Sequence, residues 1–395
     1  DARAELVAAY QAQDFTAMRS AAERALAARP GHPGALFNLA FAEVLDNDPR
    51  ASLETLNRLL AQKVDMRVAA IDEFAPVREL RGWRDYAAGI EELGQPVGDA
   101  RVLKRYHVGD FIPEGIAVAP NGEVYLGSIR HGDIVLLADE PRRLQRGNGS
   151  PFWSVFGMRL VGDTLWFASS AVDQYAHLEE SDSGRTGLFA VDLKNGRITT
   201  QSLLPDSGSP QVLGDFVVAD YDTFYATDQS GGMLYRYSVS QETFTRVVDS
   251  GVFTSPQGLV LDASGDNLYV ADYVGGIYRV NLSDGAVARV RTPETVSPHG
   301  IDGLYRHGSS LIAIQNGIQP NRVTRFDLSE DGAAIVSSDI LAMNLPWFDD
   351  PNLGQVIGDR FVFIANSHWP RFDREGNLPE GLEGPVILEI PMGED

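Results

Sequence analysis

From Arg101 onward one unit governs the chain: an alternating strand, a tight turn, and a second strand that ends in small or polar residues, six times over. It reads "IPEGIAVAPNGEVYLGS", "VFGMRLVGDTLWFASS", "VLGDFVVADYDTFYATDQ", "SPQGLVLDASGDNLYVADY", "GIDGLYRHGSSLIAIQN" and "PNLGQVIGDRFVFIANS". In the first unit Ile116, Val118, Val124 and Leu126 alternate around an Asn121-Gly122 turn, the pattern of an antiparallel hairpin. The residues leading the units are Glu114, Phe156, Gly214, Gln257, Asp302 and Leu353, spaced 42, 58, 43, 45 and 51 residues apart. A period of about 45 residues with room for about four strands is the mark of propeller blades. A six-bladed β-propeller over residues 101–395 is therefore expected. The last unit supplies only three clear strands, ending in "PVILEIPM". The missing outer strand is expected from "RVLKRYHV" (Arg101–Val108), which would close the ring and remove a free edge.

Residues 1–95 follow a helical period instead. Phe15, Met18, Ala22 and Ala25 are spaced by three or four. Pro30 and Pro33 punctuate a turn before Leu36, Leu39 and Ala40. Asp48-Pro49 is an N-cap and first-turn signal for a helix bearing Leu53, Leu56 and Leu60. This small helical domain resembles tetratricopeptide repeats, with "FAPVRELRGWRDY" as a capping helix. Such a domain either binds a protein partner or packs on its neighbour. The Gly and Pro of "EELGQPVGDA" (Glu91–Ala100) mark the boundary.

Composition removes several function classes. A net charge of −22 argues against nucleic acid, whose phosphates need clustered Lys and Arg. No apolar run approaches the roughly 20 residues of a membrane span. Cysteine is absent, which excludes thiolate catalysis and zinc thiolate sites. A start at Asp1 rather than Met fits a removed segment and a periplasmic or secreted location, with a cytoplasmic one as the alternative. No G-x-S-x-G elbow or nucleotide-binding glycine loop is present.

In a propeller the innermost strands line a central channel, so the six lead residues face a common point. Glu114 and Asp302 bring carboxylates there and Gln257 an amide. Converging carboxylates need a shared proton or a divalent cation, and calcium accepts carboxylate, amide and water oxygens. Acidic turn residues also bond neighbouring backbone amides, and the sequence leaves both readings open.

The propeller resembles the senescence-marker-protein/gluconolactonase family, whose relatives include paraoxonases and strictosidine synthases. The resemblance rests on "PEG" (Pro113–Gly115), "IDGL" (Ile301–Leu304), "SPQGLVLDASGDNLYVADY" and "LGDFVVADYDTFYATDQ". It implies Glu114 and Asp302 as ligands of one divalent metal, expected to be calcium. Gln257 stands where the family has Asn. Gly214 replaces a second Asn, which leaves Asp215 or a water to complete the shell.

The function this implies is metal-dependent hydrolysis of a lactone or ester. Asp302, or His299 through a water, is the expected general base. Gln257 and Asn316 orient the small-molecule substrate, and loops after the second strands add His131 and Asn366. Phe156 and Leu353 at the mouth point to a partly apolar ligand. The alternative is a non-catalytic propeller that binds or scaffolds a partner, which Gly214 and Gln257 favour.

Overall fold

The computed structural model describes residues 2–393. Its first part is helical: Ala2–Gln11 (α1), Phe15–Ala28 (α2), Pro33–Leu45 (α3) and Pro49–Ala61 (α4), then the shorter Ala75–Arg78 (α5) and Trp83–Leu93 (α6). Each of the second to fourth helices starts at a side-chain cap. Asp14 accepts from the Ala17 N–H, His32 Nδ1 from Ala35, and Asp48 from Ala51, which satisfies N–H groups the helix itself leaves open. Leu36, Leu56 and Phe74 are fully buried between these helices. α1 falls within the expected helical region, ahead of the apolar positions read from Phe15 onward, and α1 packs on α2 as α3 packs on α4.

Six four-stranded antiparallel sheets follow. Their innermost strands are Pro113–Val118, Ser154–Val161, Leu213–Val218, Pro256–Leu261, Ile301–His307 and Gly354–Ile357. Each packs on the next, and the sixth returns to the first. As expected, the outer strand of blade six comes from before blade one. Arg101–Arg105 pairs antiparallel with Val386–Pro391, Arg101 opposite Glu389. The buried Glu389 carboxylate receives Arg101 from that closing strand and Arg360 at 2.8 Å. Among the described residues no helix is long and apolar enough to cross a membrane.

The helical region is tied to blade five by one buried guanidinium. Arg322 Nη1 donates to Lys63 O at 2.7 Å, Nη2 to Gln62 O at 3.3 Å, and Nε to Gln315 Oε1 at 3.0 Å. Two of these acceptors are carbonyls at the C-terminal end of α4, where a cation is favourable. Burial without a carboxylate lowers the pKa of Arg322 to about 10, which leaves it charged at neutral pH. The Glu91–Ala100 stretch is also held. Val97 exchanges backbone hydrogen bonds of 2.9 and 3.0 Å with Met343, in the outer strand of blade five.

Candidate functional site

The lead residues of five blades sit in irregularities of strand pairing. The register slips between Pro113 and Ile116, Val155 and Met158, Leu213 and Asp215, Pro256 and Leu259, and Ile301 and Leu304. Such bulges bend the strand and re-aim a side chain. In four of these blades a glycine follows the lead residue. A Cβ on Gly115 would lie 2.2 Å from Phe156 O, and one on Gly258 would lie 2.4 Å from Leu304 N, so neighbouring inner strands approach too closely for a side chain.

Glu114, Phe156, Gln257 and Asp302 thereby share one cavity of about 400 Å³ at the channel mouth, joined by Asn316 and Tyr273 from following loops. Glu114 is buried. Its Oε2 accepts from Trp369 Nε1 at 2.6 Å and from Asn352 Nδ2 at 2.7 Å. Asp302 Oδ2 accepts from Asn316 Nδ2 at 2.8 Å, and Asn316 Oδ1 accepts from Tyr273 OH at 3.0 Å. A third carboxylate lines the cavity. Asp350 Oδ2 accepts from Ser367 Oγ at 2.7 Å. Its backbone is left-handed, φ 67°, a conformation that is uncommon outside glycine and draws attention to a site. Among the described residues nothing donates to the second oxygen of any of the three.

The electrostatic consequence is direct. Burial and the Asp302 charge push the Glu114 carboxyl well above its ordinary range. Burial and Asp350 push Asp302 up to about 7, and burial, opposed by the Ser367 hydroxyl, leaves Asp350 at about 6. Among the described residues no Lys or Arg lines the cavity to offset them.

Blade three breaks the pattern. A Cβ on Gly214 would lie 1.9 Å from Gln229 Nε2, so the Gln229 side chain fills the space that a residue at 214 would use. Asp215, the expected substitute ligand, faces away from the cavity. Arg159 Nη2 holds both its oxygens, at 3.0 and 3.1 Å.

Four other expectations also part from the cavity. His299 lies on the far side of Tyr273 against the helical region, its ring 4.9 Å from that of His32, and burial depresses it to about 3. His131 Nε2 is 3.0 Å from Asp110 Oδ2 in a separate cleft. Asn366 is buried in its own loop, donating to Gly384 O and accepting from Val386 N. Leu353 is buried in the core between blades one and six.

Asp350, Gln229 and Trp369 complete the cavity without occupying a lead position. Their only sequence signals are the "DDPN" ahead of the sixth inner strand and polar residues just past second strands. The donor set is oxygen-rich and free of imidazole or thiolate, which suits a hard cation. Among the described residues no three His, Asp or Glu side chains group closely enough to hold an ion by themselves. An ion here would draw on amide oxygens and water as well, as calcium accepts.

No family model matches the chain, and no curated protein does. Solved structures match its fold. The PQQ-bound aldose sugar dehydrogenase of Streptomyces coelicolor is 15% identical with a TM-score of 0.51, covering 75% of this chain and 100% of its own. The virginiamycin B lyase of Staphylococcus aureus is 16% identical with a TM-score of 0.50, covering 74% of this chain and 99% of its own. At these identities the likeness is one of fold.

Proposed function

We propose that the protein is an enzyme that hydrolyses lactones or esters at the channel-mouth cavity with the help of a calcium-class divalent cation. One observation carries the reading: three carboxylates with raised pKa values line a single cavity that holds no basic side chain. Crowding of this kind is relieved by shared protons or by a cation. Glu114 and Asp302, with the amide oxygens of Gln257 and Gln229, are the residues that would hold the ion. When bound, it would polarise the substrate carbonyl as a Lewis acid.

The chain's own groups supply the rest. Asp350 Oδ1 takes the proton of the attacking water, because a carboxyl near pH 6 is both ionised and basic at neutral pH. The Tyr273–Asn316–Asp302 hydrogen bonds fix the orientation of the Asp302 carboxylate. Ser255 Oγ accepts from Gln257 Nε2 at 2.9 Å, and among the described residues nothing donates to the amide oxygen. Trp369 and Phe156, with ring centroids 6.5 Å apart, shield one side of the cavity from water. Two of its fold neighbours are a dehydrogenase and a lyase, which agrees with an enzymatic propeller.

The test is metal analysis of the purified protein, followed by a lactone and aryl-ester screen with and without chelator. The expected result is activity that EDTA abolishes and calcium restores. Absence of bound metal, no thermal response to calcium and no turnover would leave the non-catalytic binding propeller.

A further inference from the structure

Tyr273 is a wall of two cavities. One is the carboxylate cavity; the other, of about 550 Å³, lies at the seam between the helical region and blades four and five. The Tyr273 ring lies over Gly317, where a Cβ would be 2.5 Å from Cζ, and its hydroxyl donates to Asn316 Oδ1. Asn316 therefore lines the first cavity and the next residue, Gly317, lines the second. Tyr273 is the residue common to both linings.

The seam cavity has a different chemistry. Pro33, Val64 and Met66 form its helical wall, and Val274 and Ile318 its propeller wall. The two imidazoles there, His32 and His299, are both pushed towards the neutral form by burial. Its only other titratable lining groups besides Tyr273 are Asp65 and Arg67, and the Asp65 carboxylate accepts from the Arg67 backbone N–H at 2.7 Å. A mostly apolar chamber, whose charged groups are Asp65 and Arg67 on the helical wall, thus opens beside a chamber built of carboxylates. Their adjoining walls make one ligand of mixed character the natural occupant, and both volumes lie in the range of small-molecule sites.

We propose that the two cavities form one two-lobed substrate site, in which the carbonyl of an ester or lactone faces the carboxylates and its apolar arm lies in the seam beyond Tyr273. This rests on the hydrolase reading given above. It makes the helical region half of the specificity pocket and selects substrates with an aliphatic or aryl arm over sugar lactones.

The test titrates the full-length protein calorimetrically with the 4-nitroanilides of acetic, butanoic, hexanoic and octanoic acids, and assays the matching 4-nitrophenyl esters in parallel. Affinity for the anilides is expected to rise by up to about fourfold per added methylene. Met66→Trp and Val274→Trp fill the seam from its two opposite walls, and each is expected to flatten that dependence. Thermal melts establish which variant is folded, and a folded one decides. Wild-type affinity that is independent of chain length, or a length dependence that survives in the folded variants, overturns the proposal. Length-dependent binding of anilides with no ester cleaved keeps the two-lobed site and discards the hydrolase reading.

Discussion

Glu114, Asp302 and Asp350 are held by neutral donors, an indole, two carboxamides and a hydroxyl, so nothing in the cavity offsets their charge. That makes their titration a stability statement. Asp302 and Asp350 have folded pKa values of about 7 and about 6 against an ordinary 3.8. The fold favours their protonated forms, so the stability they contribute is complete below about pH 4 and is lost as pH rises through 6 and 7. Metal-free protein is expected to melt at progressively lower temperature from pH 5 to pH 8, and saturating calcium to remove most of that fall. Scanning calorimetry of EDTA-treated protein checks it; a flat profile would mean that the carboxylates do not crowd. Glu114→Gln keeps an acceptor for Trp369 and Asn352 while removing the charge. It is expected to raise the metal-free melting temperature at pH 8 by a few degrees, on the order of 1 kcal/mol, and to blunt the calcium response. Gly214→Asn collides with Gln229 and is expected to weaken calcium binding, whereas Gly214→Asn with Gln229→Ala restores it. Additive losses in that pair would separate the two positions. Glu114, Gln257 and Asp302 were legible because they lead repeated units. Gln229 lies just past a second strand, where the sequence places pocket residues, but Asp350 was not legible, because the loop ahead of Gly354 supplies it from a position the repeat does not mark.

At the scale of elements, legibility followed local chemistry. Asp48 and Pro49 announce α4 because a cap and a fixed φ act within one turn. The docking of α4 on blade five could not be read that way, since Arg322 meets Gln62 and Lys63 across more than 250 residues of sequence. Nor could the hold on Glu91–Ala100, whose Gly and Pro read as a loose boundary while Val97 pairs with Met343. Arg322→Met keeps length and removes every donor, leaving the carbonyls of Gln62 and Lys63 short of a partner, while the Gln315 amide oxygen keeps the Thr324 hydroxyl at 2.7 Å. A loss of about 2–4 kcal/mol is expected from that change. Arg322→Lys is expected to recover little of it, because an ammonium cannot reproduce the planar fork. Hydrogen exchange should quicken at Gln62–Asp65 in both variants, and unchanged protection there would show that Arg322 does not secure the seam.

The whole molecule depends on closure, because the sixth sheet has its outer strand only while the two ends of the propeller meet. Two truncations separate closure from the helical region. A chain beginning at Arg101 loses the helices but keeps the strand Arg101–Arg105; one beginning at His107 loses both. The first uncovers Ile318 and Arg322 and should melt lower, yet it retains six complete sheets and is expected to stay monomeric. The second leaves Val386–Pro391 as an unpaired edge that is otherwise rich in buried apolar side chains, and strips the buried Glu389 of Arg101. An exposed strand of that kind pairs with other copies, so this chain is expected to aggregate despite its abundant negative charge. Size-exclusion chromatography and thermal melting of the two chains decide the matter. If both elute as monomers and melt alike, the closing strand contributes nothing, and the stability of the ring resides in the contacts between its inner strands.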